Sequence, residues 1–105
     1  MNNEELLQQT LSTVLPADHL AMNGQRERGA VYRLSGERQI YESDVLLMTW
    51  EIFQVYVYQL EYDPETVQSV RAACLEAGFA VTMGSQVMEN EYYRDELRMT
   101  KRKED

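Results

Sequence analysis

The run VLLMTWEIFQVYVYQL, Val45 to Leu60, constrains this chain more than any other segment. It is rich in β-branched and aromatic residues and lacks glycine and proline, so it reads as a strand. One face carries Leu46, Met48, Trp50, Ile52, Tyr56, Tyr58 and Leu60, broken only by Gln54. The other carries Val45, Leu47, Phe53, Val55 and Val57, with Thr49, Glu51 and Gln59 between. Two helices in a chain of 105 residues cover one face of a sheet, not both, so something else must cover the second. A copy of the same chain is the economical candidate. Length argues the same way: at roughly 3.3 Å per residue the run spans about 53 Å, against a radius of gyration of about 13 Å for a compact chain of this size. The strand therefore bends, has a bulge near Glu51 to Gln54, or runs out into a projecting hairpin with the strand before it.

Helices flank this run. Asn2 or Asn3 can cap a first helix, with Glu4 and Glu5 in its first turn favouring the positive end of the dipole. Leu7, Leu11 and Val14 recur at helical spacing, with Leu6 and Leu15 beside them, and Pro16 stops the helix. The second helix has Asp63 as N-cap, Pro64 at its first position, an apolar stripe of Val67, Val70, Cys74 and Ala77, and Gly78 as a left-handed stop. Ala17 to Gly29 reads as an irregular connection with a turn at Asn23-Gly24. Val31, Tyr32 and Leu34 suggest a strand ended by Ser35-Gly36. Phe79 to Met83 reads as a short strand, Gly84-Ser85 as a turn, and Val87 to about Met99 as a further extended segment, although 91–103 also has good helix propensities. The fold class that follows is α+β: a mixed or antiparallel sheet with a long strand or hairpin, one helix packed on the sheet, and a second, N-terminal helix. The expectation is a single domain over residues 1–105, with a flexible polar tail at 101–105.

Composition excludes much chemistry. One cysteine, Cys74, permits no internal disulfide, and on the helical stripe it reads as a buried thiol rather than a nucleophile. One histidine and one cysteine do not build the usual zinc site, and no metal or cofactor is expected. The first residues, MNNEELLQQTL, do not read as a signal peptide, and no apolar run is long enough for a transmembrane helix. Ten basic residues against 18 acidic ones leave a net charge of −8, which disfavours a nucleic-acid backbone as partner. From Gln39 to Val70 there is no Lys or Arg, while Glu42, Asp44, Glu51, Glu61, Asp63 and Glu65 fall inside. Such a stretch makes an acidic surface, or simply a solvated one.

No phosphate loop, nucleophile elbow, metal-binding helix pair or dinucleotide turn is present, so no enzyme is expected. His19 can pair with Asp18 or another acid, and reads more simply as a surface or packing residue. Glu89 and Glu91, placed on one side of a strand, suggest either acid–base work or solvated charge. Trp50 and the Tyr92-Tyr93 pair are candidate interface anchors, because amphipathic aromatics are enriched at binding hot spots, and are equally well explained as plain sheet residues.

The order of parts resembles small phage head–tail connection proteins, in particular the tail terminator, or tail-to-head joining, family of siphophages and prophages. The likeness covers most of the chain. It rests on Val55-Tyr56-Val57-Tyr58, then Asp63, Pro64, Val67, Val70, Leu75 and Gly78, then Val87, Glu89, Glu91 and Tyr92. ADHLAM, Ala17 to Met22, is similar to the family's short aromatic-His segment, but has Leu20 and Met22 where aromatics are common, and GAVY lacks the proline usual before the first strand. The resemblance implies a structural virion protein: a homo-oligomeric ring, usually a hexamer, that caps the tail tube and docks to the head connector. DNA would pass through the opening without sequence-specific binding, past an acidic lining. No cofactor or membrane is implied; the setting would be the host cytoplasm during assembly and then the virion. The rival readings are a small dimeric adaptor or regulator of a bacterial host, and a small-molecule-binding domain using Trp50 and the tyrosines.

For assembly, Ser35 to Asp44 and the first part of the long strand should project and contact a neighbouring subunit. The candidate interface residues are Leu47, Trp50, Glu42, Asp44, Tyr92 and Tyr93. Because Leu47 and Trp50 point to opposite faces, one is expected to meet the helices and the other a partner.

Overall fold

Asn2 begins the first helix, α1 (Asn3–Ser12): its side chain accepts a hydrogen bond from the Glu5 amide at 2.8 Å, satisfying one of the donors that a helix start leaves free. The computed structural model describes residues Met1 to Glu104. Asp63 does the same for α2 (Pro64–Glu76), accepting from the Glu65 amide at 3.0 Å, and Pro64 opens the helix where its missing N–H costs nothing. Gly78, at φ +96°, closes it in a conformation that other residues resist.

Five strands form one sheet in the order β1-β2-β3-β5-β4. β1 (Ala17–His19) runs parallel to β2 (Arg28–Glu42); β2 pairs antiparallel with β3 (Val45–Gln59), β3 with β5 (Tyr92–Arg102), and β5 with β4 (Ala80–Glu89). The fold is therefore α+β with a mixed sheet. Both helices lie on the same face. Leu7, Leu11 and Leu15 from the α1 region and Val67, Val70 and Cys74 from α2 pack on Tyr32, Phe53, Val55, Val57, Leu97 and Met99. Burial pushes the Cys74 thiol up to about 12, which leaves it protonated and inert.

Several expectations change. Ser35-Gly36 does not end a strand: β2 continues to Glu42, and Ser35 is an extra residue where the register shifts between Leu34 and Gly36. Gly84-Ser85 is likewise a bulge inside β4, facing Glu96, where a Cβ on Gly84 would meet the Glu96 carbonyl oxygen at 3.0 Å. The actual turns are Ser43-Asp44 and Asn90-Glu91, each with both residues at positive φ and neither containing glycine. Glu91 sits in that second turn, so Glu89 and Glu91 do not share a strand face. Residues 17–19, expected to be irregular, pair with Ala30 to Tyr32. The segment 91–103, which could have been helical, is strand through Arg102. Lys101 and Arg102 pair with Glu51 and Trp50 and so are not tail, while Asp105 lies outside the described residues.

The long strand neither bends sharply nor bulges within Glu51 to Gln54. It runs out as a hairpin with β2, and its own bulge is at Leu47, where the register shifts between Ile40 and Tyr41. The molecule consequently measures 51 × 25 × 23 Å, with a radius of gyration of 14.6 Å.

Candidate interaction surface

β5 pairs with β3 from Trp50 onward, and the Lys103 amide just beyond it donates to the Thr49 carbonyl at 2.8 Å, so Val45 to Met48 of β3 are held by β2 alone. That two-stranded end lies beyond the helices. Its apolar side chains have nothing to pack on: Tyr41 is 55% exposed, Val45 60%, Leu46 47% and Leu47 48%. Contiguous exposed apolar surface of this kind marks interaction sites. Glu42 and Asp44 are exposed beside them.

Neither Leu47 nor Trp50 meets the helices. Leu47 is the extra residue of the bulge, so alternation from Trp50 does not assign its face, and Phe53 is the residue that fills the core. Trp50 lies half-buried on the open face, its indole N–H donating to the Met48 sulfur at 3.2 Å. Tyr92 and Tyr93 are not gathered with them. They lie at the opposite end of β3, where Tyr93 pairs with Gln59. There Tyr92 donates its hydroxyl to the Arg26 carbonyl at 2.7 Å and meets Tyr58 edge-on, and Tyr93 packs on Tyr62.

A sheet face left uncovered by the helices was expected; the arginines on it were not. Cross-strand partners on β2 and β5 place Arg38 and Arg102 on either side of Trp50, and Arg33 and Arg98 on either side of Gln54. Further along, the Arg94 guanidinium lies 4.8 Å from the Tyr56 ring centroid and 3.5 Å from Glu89, whose carboxylate also accepts from the Tyr58 hydroxyl at 2.9 Å. That bond and burial hold the Tyr58 hydroxyl above its usual range; burial is the larger cause. Arg33 donates to the Gln54 amide oxygen. Arg38, Arg98 and Arg102 are exposed and have no ion pair among the described residues. Each of these β5 arginines alternates with core residues such as Leu97 and Met99, the period-2 signal that identifies one face of a strand.

The stretch from Gln39 to Val70 is not one acidic surface. Glu42 and Asp44 lie at the projecting tip, and Glu61, Asp63 and Glu65 at the other end of β3. Between them Glu51 is tied to α1, accepting from the Asn3 side-chain amide at 3.0 Å. His19 pairs with Glu4 at 3.2 Å on the surface.

No group of three or more His, Cys, Asp or Glu is placed to hold a metal among the described residues. An open groove of about 290 Å³ at the far end of the sheet is lined by residues including Met22, Tyr58, Glu89 and Tyr92; Trp50 does not contribute to it. No helix among the described residues is long and apolar enough to cross a membrane.

No protein-family model matches the sequence, and no curated protein matches it. A solved structure whose name states no function is similar at 12% identity, over 98% of this chain and 96% of that chain, with a TM-score of 0.48.

Proposed function

We propose that this chain is a structural, non-catalytic ring subunit of a phage or prophage tail, a tail terminator or head–tail joining protein. The observation that carries this reading is the projecting β2–β3 tip, whose exposed Tyr41, Val45, Leu46 and Leu47 have no cover among the described residues. A monomer gains nothing from holding such a tip in water, whereas an assembling subunit uses it to reach a neighbour. The order helix, hairpin, helix, hairpin also agrees with the family resemblance drawn from the sequence. On this reading the ring caps the tail tube, docks to the head connector, and lets DNA pass because a subunit of net charge −8 repels it. The subunit is made in the host cytoplasm and retained in the virion.

Mass measurement in solution, followed by negative-stain imaging with the cognate tail-tube protein, tests the proposal. The expected result is a closed oligomer larger than a dimer that seats on tube ends. A stable dimer indifferent to tubes would favour the adaptor reading instead.

A further inference from the structure

The tip and the open face of the sheet are opposite in charge and alike in being apolar at the centre. At the tip, Glu42 and Asp44 flank exposed leucines, and no Lys or Arg occurs between Gln39 and Thr49. On the face, Trp50 stands between Arg38 and Arg102, with Arg98 nearby, in a chain whose net charge is −8. The hairpin is paired from Arg28–Gln59 out to Glu42–Val45 and closed by the two residues Ser43 and Asp44, so it cannot fold back on its own face. The complement of each surface therefore has to come from another molecule.

Backbone pairing between copies is a poorer route. The exposed edges of the sheet are the three-residue β1, the outer parts of β2 and β3, and β4; the last three are each interrupted by a bulge, at Ser35, Leu47 and Gly84-Ser85. Bulges of this kind are a known means of blunting edge strands. A nucleic acid is also a poorer occupant, because Glu89 and Glu96 share the face and both ends of the molecule are acidic.

We propose that the β2–β3 tip of one copy docks on the Arg38–Trp50–Arg102 face of the next, Glu42 and Asp44 meeting the guanidiniums and the leucines meeting Trp50. Because the two surfaces differ, the contact is head-to-tail, and repeated it yields a ring when the rotation closes and a filament when it does not. This deepens the ring reading above and rests on it only for closure.

The test uses two charge-reversed variants, Glu42→Arg with Asp44→Arg at the tip and Arg98→Glu with Arg102→Glu on the face, and the fourfold variant that combines them. Sedimentation measures self-association, circular dichroism the fold, and Trp50 fluorescence the contact, since it is the only tryptophan. Each double variant should stay folded and associate roughly tenfold or more weakly, and the fourfold variant should recover to within a few-fold of the parent. Arg98→Gln with Arg102→Gln repeats the face test should the reversed pair fail to fold. If the parent forms closed rings and the face variants do so equally, the contact is wrong and the ring reading stands. If the same reversal pattern governs open filaments, the contact stands and the ring reading fails. A parent that stays monomeric at every concentration sinks both. An oligo-dT that shifts Trp50 fluorescence in the parent but not in the face variant, with self-association unaffected by reversal, overturns the proposal and gives the face to nucleic acid.

Discussion

The two halves of the β2–β3 hairpin are built from the same kinds of residue and have opposite roles. In the half nearer the helices, Phe53, Val55 and Val57 have no exposure at all, and β5 and the helices surround them. In the outer half, Val45, Leu46 and Leu47 are about as apolar but stand in water, joined only to β2. Hydrophobicity along a strand therefore does not by itself say whether a residue stabilises the monomer. What separates the halves is the reach of the neighbours: β5 stops pairing at Trp50, and the helices end before Leu47.

The sharpest way to break this contrast is Phe53→Ala. It should cost about 3–5 kcal/mol and lower the melting temperature severely, because the ring packs edge-on against Phe79 and leaves a cavity that helices and sheet cannot close. A small loss would mean that the core is not where the structure puts it. Next in size is alkaline pH. Cys74 is held above its ordinary value of 9.0 by burial, and Tyr32 above its ordinary 10.0 by burial and then by Glu4 and Asp18. The unfolded chain releases these protons first, so stability should be unaffected below pH 9 and fall as pH rises above it. The slope is at most about 1.4 kcal/mol per pH unit for each group. Denaturant midpoints between pH 8 and 11 check the sign; a midpoint that rises would be the wrong one.

Smaller effects sharpen the contrast. Asp63→Ala removes the α2 cap and should cost about 1 kcal/mol by chemical denaturation. The two glycine-free turns divide the regions further. Glu91 is at φ +73° and Asp44 at φ +64°. Glu91→Gly should stabilise the fold against global unfolding by up to about 1 kcal/mol, because relief of the left-handed residue outweighs the freedom glycine adds to the unfolded chain, whereas Asp44→Gly should show only as slower hydrogen exchange at the tip. Equal effects on melting would mean that the tip unfolds together with the core. Smallest of all, Leu47→Asp should change monomer stability by no more than about 0.5 kcal/mol, yet abolish self-association in sedimentation.

Much of the architecture was legible. The helix caps at Asn2 and Asp63 and the stop at Gly78 are local signals, and local structure obeys them. The projecting hairpin was one of three outcomes that the length of the apolar run allowed, and apolar residues on both of its faces favoured it. The strand ends did not, because a Gly-Ser pair looks the same whether it turns a chain or bulges a strand; only the partner strand decides, and at Gly84 that partner is Glu96. The true turns were hidden because Ser43-Asp44 and Asn90-Glu91 adopt positive φ without glycine. The basic face was hidden for a different reason. Arg38 and Arg102 flank Trp50 from distant parts of the chain, and counting charge along the sequence brings out the acidic stretch instead. The alternation of Arg94, Arg98 and Arg102 with Leu97 and Met99 was the available clue.

The position of β5 has a consequence for timing. It comes after the other described elements in chain order, yet it lies inside the sheet between β3 and β4, with Leu97 and Met99 fully buried. During synthesis the hairpin and both helices emerge from the ribosome while this slot is still empty, so the core cannot close. Arg98 and Arg102 arrive on that same strand. On the docking proposed above, a nascent chain would expose its tip before Arg98 and Arg102 complete the surface that receives it, so the strand that fills the gap in the sheet would also be the one that makes the chain competent to join.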